Sequence, residues 1–276
     1  MYHQFYQFKE NPFNVTADPN FFFASKSHTE AFSHLLYGID QRKGIIVITG
    51  EVGTGKTTLC RKLLNQFNEK VKFALVLNPK FSEVQLLQLI LNDFGIPITE
   101  KNKFGLIYVL NNFLISQYNQ GYNVVLIIDE AQNLTVKQLE QIRLLSNLET
   151  EKEKLLQIVL IGQPELHDKL QLPSLRQLRQ RITVYYNLNP LDKNDLRQYI
   201  QHRLSKAITQ EIKQNNIVFT EKAIETIFYY TKGSPRTINI LCDRALTAGY
   251  VAETFLIDEH LIHDCAKEVM YLEHTV

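Results

Sequence analysis

The chain has 276 residues, 45% hydrophobic and 21% charged, which is globular composition with room for a large core and a smaller second domain. Its net charge of +1 gives no bulk attraction to nucleic acid or to an anionic membrane. Cys60, Cys242 and Cys265 are widely and irregularly spaced, which fits neither a disulfide framework nor a zinc pattern; reduced thiols in the cytosol are expected.

Residues 1–24 read as an irregular aromatic arm: Phe5, Tyr6, Phe8, Phe13 and Phe21 to Phe23 surround Asn11-Pro12 and Asp18-Pro19. No secretory leader is visible there, and no apolar run reaches the ~18–20 residues that span a bilayer. The arm is expected to pack on its own domain. From Ser27 to Gln41 the positions Ala31, Leu35, Leu36 and Ile39 predict one helical face. Ile45–Ile48 then predicts a buried strand, followed by a glycine-rich turn and a helix carrying Leu59, Leu63, Leu64 and Phe67. Val71–Leu77, Val124–Ile128, Leu155–Ile161 and Ile182–Tyr186 predict four more strands. Helices are expected over Phe81–Phe94, Phe104–Tyr118 and Val136–Leu148. Apolar strands alternating with amphipathic helices imply a parallel sheet covered on both faces.

After Asn189-Pro190 the strand signals stop. Asp192–Lys206, Thr220–Thr231, Thr237–Ala252 and Asp258–Tyr271 predict helices, with Thr220 and Asp258 placed to cap two of them. A domain boundary is therefore expected near Leu188–Leu191, giving an α/β domain over 1–188 and a helical domain over 189–276.

Gly50-Glu51-Val52-Gly53-Thr54-Gly55-Lys56-Thr57 fits the phosphate-binding loop G-x4-G-K-[ST] at every defined position, between an apolar strand and an amphipathic helix. Its glycines let the backbone curl so that successive N–H groups face phosphate oxygens. Lys56 supplies a cation to the β- and γ-phosphates, Thr57 a hydroxyl to Mg²⁺, and the helix opening through Thr58 its positive N-terminal end. The strand Val124–Ile128 ends in Asp129-Glu130. At the carboxyl end of a parallel strand, Asp129 is placed for Mg²⁺ and Glu130 to act as general base toward water. ATP with Mg²⁺ is the expected ligand. The eight histidines include no H-E-x-x-H, and no G-x-S-x-G supports a serine hydrolase.

With these motifs in order, the chain resembles the AAA+ ATPases: an α/β P-loop NTPase with a parallel five-stranded sheet flanked by helices and a C-terminal all-helical lid. Within them it is similar to the ExeA/GspA group of secretion ATPases, and there to the MshM type of mannose-sensitive haemagglutinin pilus biogenesis. The segments that carry this are Asn11-Pro12-Phe13, Gly50–Thr57 continued by Cys60 to Leu64, and Ile128 to Gln132, followed by Leu148 to Lys152, Ile161 to Leu166, Ser174 to Thr183, and Gly233-Ser234-Pro235-Arg236. The resemblance implies that Gln163 stands at the first-sensor position, helping to orient the attacking water, and that Arg236 is the second sensor, reaching the γ-phosphate from the lid. Gln is a departure here, since many AAA+ proteins carry Asn or Thr at that position. It further implies an arginine finger among Arg176, Arg179 and Arg181, with Arg181 preferred and Arg179 in reserve. A finger serves a neighbouring subunit, hence an ATP-dependent homo-oligomer in a ring or other closed assembly. Asn78 is a candidate restraint on the catalytic glutamate.

The group implies a cytoplasmic ATPase, peripheral on the inner membrane, that acts on an inner-membrane protein of type IV pilus or type II secretion assembly. Its longer members continue into a transmembrane helix and a periplasmic peptidoglycan-binding region, which are absent from this sequence, whereas MshM-type members stop after the lid. A DNA-binding regulator of the TnsC, TniB or MuB kind shares the P-loop and acidic strand. Arg176, Arg179 and Arg181 would then meet DNA, an assignment that the near-neutral charge disfavours.

Overall fold

A computed structural model describes residues 2–67, 70–151, 153–208 and 217–273, with the side chains of 270–273 left aside. Lys152, in one of the segments quoted above, lies outside the described residues. The chain divides into two compact units, one of His28–Glu51 with Leu59–Leu188, the other of Met1–Ser27, Val52–Thr58 and Asn189–Val276.

The first unit is the α/β one. Its strands are β1 (Ile45–Gly50), β2 (Val71–Val76), β3 (Asn123–Ile128), β4 (Gln157–Gly162) and β5 (Ile182–Leu188). They form one sheet in the order β2-β3-β4-β1-β5, with every pairing parallel. β1 and β4 are buried along their whole length, which is why they read as unbroken apolar runs; β2 and β5 are edges and carry exposed positions. The helices are α1 (Lys26–Asp40), α2 (Lys56–Gln66), α3 (Glu83–Asp93), α4 (Lys103–Asn119), α5 (Val136–Leu145) and α6 (Pro164–Leu170). Ile45, Val47, Leu126, Ile128, Ile158 and Leu160 join Leu87, Ile90, Leu110 and Ile142 in one core, while Ile46, Ile48, Val125, Ile127, Val159 and Ile161 are buried on the other face. Ser82 and Thr135 start α3 and α5 with reciprocal capping boxes to Gln85 and Gln138.

The second unit holds α7 (Lys193–Ala207), α8 (Glu221–Thr231), α9 (Pro235–Val251) and α10 (Glu259–Glu273). Thr220 accepts from the Ala223 N–H and Asp258 from the Leu261 N–H, the two caps expected from the sequence. The unit is not all-helical. Val218–Phe219 (β6) and Leu256–Ile257 (β7) pair in parallel, and strands of two residues are too short to leave a periodic signal.

The aromatic arm, assigned from sequence to the nucleotide domain, groups with this helical unit. Tyr6, Phe8, Phe13 and Phe21 are buried among Leu196, Ile200, Ile227 and Leu246. Hydrogen bonding explains the choice of partner. The arm's carbonyls at Pro12 and Asn14 need donors, and Arg203 of α7 supplies Nε at 2.5 Å and Nη2 at 2.8 Å. Its guanidinium also lies 4.6 Å from the centre of the Phe21 ring. Tyr2 and Asn11 both donate to Asp243 Oδ1, at 2.5 and 3.0 Å. Arg203 is 6% exposed, so Arg203→Met leaves the buried Pro12 carbonyl without its donor at about 1–3 kcal/mol, while the carbonyl of the exposed Asn14 keeps Asn239 Nδ2 at 3.4 Å. Chemical denaturation is expected to show a loss of about 2 kcal/mol for that variant, and a change below about 0.5 kcal/mol would show that the arm is held by its rings alone.

Candidate functional site

In the helical unit, the loop residues Val52–Thr58 group with the start of α9. Gly53 and Gly55 have φ of 78° and 95°, the left-handed region that side chains disfavour. The Arg236 N–H donates to the Gly53 carbonyl at 3.2 Å, and Ser234 Oγ donates to the Val52 carbonyl at 3.5 Å. The first turn of a helix has spare N–H donors, and Pro235 at its first position uses none. Two loop carbonyls thus meet the start of α9. A Cβ on Gly53 would come within 2.7 Å of both Arg236 Cβ and Ser234 Oγ, so the glycine is needed for approach as well as conformation. The Gly-Ser-Pro-Arg turn is pinned in its own way: Gly233 has φ of 79°, and a Cβ there would lie 2.0 Å from the Leu191 carbonyl oxygen. Thr54 and Lys56 are buried, at 0% and 7% exposure, while Arg236 is exposed.

In the α/β unit, the ends of β3 and β4 lie side by side because the strands pair in parallel. Asp129 follows β3, is 3% exposed, and its Oδ1 accepts the Glu130 N–H at 2.9 Å. Glu130 has φ of 53°, unusual for a residue with a side chain. It opens a 3₁₀ turn over Ala131–Asn133. Gln163 follows β4 and stands at the N-cap of α6, with Pro164 next. Gln163 Nε2 donates to Glu130 Oε2 at 3.2 Å, joining two of the residues singled out from sequence. A third group, not assigned a role from sequence, completes the cluster: Gln132 Nε2 donates to the same oxygen at 2.5 Å, and Gln132 Oε1 accepts the Gln163 N–H at 3.0 Å. Lys169, in the last turn of α6, donates to the carbonyls of Gln132 at 2.5 Å and Leu134 at 2.7 Å. Gln132 lay inside a quoted motif but only its neighbours carry obvious chemistry; nothing in the sequence marks Lys169.

Other candidates fall elsewhere. Asn78 is exposed and makes no hydrogen bond to Glu130, whose amide partners are Gln132 and Gln163. Arg179 Nη1 donates to the carbonyls of Leu170 and Gln171, both at 3.2 Å, at the end of α6. Arg181 Nη1 donates to Asn147 Oδ1 and, at 3.4 Å, to Ser146 Oγ. Arg176 is exposed. Cys60 is buried, and desolvation, aided by the Asp129 charge, pushes its thiol up to about 12, so it stays protonated and inert.

A parallel five-stranded sheet in this order, a glycine-rich loop after β1 and paired carboxylates after β3 define the α/β P-loop AAA fold. Residues 39–170 match the family model of the AAA domain. The chain is 43% identical over 270 residues to general secretion pathway protein A of Aeromonas hydrophila, an alignment that takes in 98% of this chain and 48% of that relative. It therefore spans about half the length of that protein. Among solved structures, the ADP form of the Aeropyrum pernix ORC2 protein superposes with a TM-score of 0.65 at 16% identity, over 95% of this chain and 73% of the other. The RuvB Holliday junction branch migration motor of Thermotoga maritima gives 0.58 at 17% identity, over 88% and 69%. At such identities the likeness is one of fold. Among the described residues no helix is long and apolar enough to cross a membrane.

Proposed function

We propose that this chain is a Mg²⁺-dependent ATPase of the secretion ATPase type. The observation that carries the reading is the Glu130 carboxylate, placed after β3 beside Asp129 and held through one oxygen by two amides. Its other oxygen, Oε1, accepts no hydrogen bond among the described residues, as suits a group that is to take a proton from water.

The residues present fit the ligand. The left-handed glycines of the loop give backbone N–H groups the freedom to converge on phosphate oxygens, and Lys56 adds a cation. Thr57 and Asp129 are hard oxygen donors suited to Mg²⁺. Among the described residues no group of three or more His, Cys, Asp or Glu forms a cage, so the ion would share its coordination with nucleotide oxygens and water, as Mg²⁺ commonly does. When bound, Mg²⁺ neutralises charge on the transferring phosphoryl group. Gly50 to Thr58 hold the nucleotide, Glu130 orients and deprotonates the water, Gln163 steadies Glu130, and Arg236 answers the γ-phosphate from the start of α9. Arg181 serves the site of a neighbouring subunit.

The 43% identity to general secretion pathway protein A supports a role at the cytoplasmic side of the inner membrane in type II secretion or, as in MshM-type proteins, type IV pilus assembly. The partner there would be an inner-membrane component of that apparatus, driven or regulated by a nucleotide-dependent homo-oligomer.

The test is phosphate release from ATP across a range of protein concentrations, with Mg²⁺ and with EDTA. Turnover is expected only with Mg²⁺, at a rate per subunit that climbs with concentration. ATP that binds and is never hydrolysed under any condition would leave a nucleotide-operated switch in place of the motor.

A further inference from the structure

We propose that Gln132 is a positioning residue for Glu130, tying the carboxylate to Gln163 and leaving its second oxygen unengaged. The inference rests on the ATPase reading above for its consequence, and on geometry for its content.

The carboxylate is the only group of this cluster whose orientation matters chemically, and its own backbone does not fix it. A residue with a side chain at φ of 53° is strained and persists only where its surroundings over-determine it. Here they do so from three sides. Asp129 Oδ1 takes the Glu130 N–H, the Asn133 N–H donates to the Glu130 carbonyl, and Lys169 donates to the carbonyls of Gln132 and Leu134. The turn is thereby set, and with it the side from which Gln132 approaches.

The amide of Gln132 has two ends, and each has a fixed use. Its oxygen faces the Gln163 N–H, which can only donate, so its nitrogen must face Glu130. The match is complementary: a carboxylate only accepts, and the nitrogen only donates. Two donors, from Gln132 and Gln163, then converge on Glu130 Oε2 and leave Oε1 unengaged. A single donor would permit the carboxylate to swing about that one bond; two donors from different strand ends do not. Gly162 shows how closely Gln132 is fitted: a Cβ there would lie 3.0 Å from Gln132 Oε1 and 3.2 Å from the Gln132 backbone nitrogen.

Gln132→Met keeps the side-chain volume and removes both ends of the amide. In the ATPase assay kcat is expected to fall about 10–100-fold, with KM and the affinity for a fluorescent ATP analogue kept within about twofold. Gln132→Glu sets a second carboxylate against the first, and its loss is expected to be larger. In a Glu130→Gln background, measured by single turnover, Gln132→Met is expected to add little, because it acts through the group already removed. A second readout needs no turnover. In the nucleotide-free protein the Gln163 amide proton is expected to exchange with solvent at least about tenfold faster in Gln132→Met, because its acceptor is gone. Unchanged Gln163 exchange, or an unchanged kcat in an enzyme that needs Glu130, overturns the assignment. So does a loss of ATP affinity equal to the loss of kcat, which would mark a structural role. Wild-type turnover that survives Glu130→Gln overturns the ATPase assignment of Glu130 instead, and Gln163 exchange then still decides whether the amide bridge exists.

Discussion

Glu130→Gln is expected to lower ATP turnover by about 10²–10⁴-fold while nucleotide affinity stays near that of the wild type. The substitution suits this site. Gln132 and Gln163 both present N–H donors to one oxygen of residue 130, and a carboxamide still offers one oxygen to receive them. Its NH₂ must then occupy the position now held by Oε1. A donor stands where the proton acceptor stood, with no change in volume and no buried group left unpaired. The unfolding midpoint should therefore be unchanged, and the loss should fall on kcat. Steady-state phosphate release and equilibrium binding of a fluorescent ATP analogue separate the two effects. A variant that keeps more than about a third of the wild-type kcat would remove Glu130 from the role of base. One that loses binding as well would show Glu130 to be part of the nucleotide cradle.

The legibility of the fold varied with how many constraints each segment satisfies at once. β1, β3 and β4 are buried on both faces, and each carries an unbroken run of at least four apolar residues; their position in a parallel sheet followed from that pattern alone. The loop after β1 and the acidic pair after β3 were equally plain, because each residue type there has its own chemical reason. The pairing of β6 with β7 was not legible, since four residues carry no period. Nor was the home of the aromatic arm. Its rings announce burial but not the core they enter, and that choice is made by Arg203 and Asp243 more than 180 residues away. Gln132 and Lys169 were hidden for a third reason. An amide bridge depends on two strand ends being neighbours, and the order of strands in the sheet is a property of the fold, not of either segment.

Arg181→Ala is expected to reduce turnover by about 10³-fold or more, the scale on which arginine fingers act, with ATP binding preserved and the dependence of specific activity on protein concentration lost. The two candidate fingers differ in what already occupies them. Arg179 Nη1 satisfies the carbonyls of Leu170 and Gln171, groups left without partners where α6 ends, and bonds the Gln171 side chain besides. That is a helix-capping role, sufficient by itself to explain an arginine there. Arg181 meets two side chains, Asn147 and Ser146, through Nη1 alone. A guanidinium carries five donors in a rigid fork, so a contact at one nitrogen aims the rest without consuming them. Held in this way, Arg181 would be oriented at low entropic cost for an anion brought by another subunit, the role proposed for it above. Arg179→Ala should accordingly lower stability by about 1–2 kcal/mol with a modest effect on rate, and Arg181→Ala the reverse. Mixing inactive Arg181→Ala with inactive Glu130→Gln protein provides the decisive comparison. If the finger acts across subunits, some mixed interfaces join an intact Arg181 to an intact Glu130, and activity returns on mixing. If mixtures remain as inactive as their parts while wild type stays concentration-dependent, Arg181 works within its own subunit and the contact that assembles the site lies elsewhere.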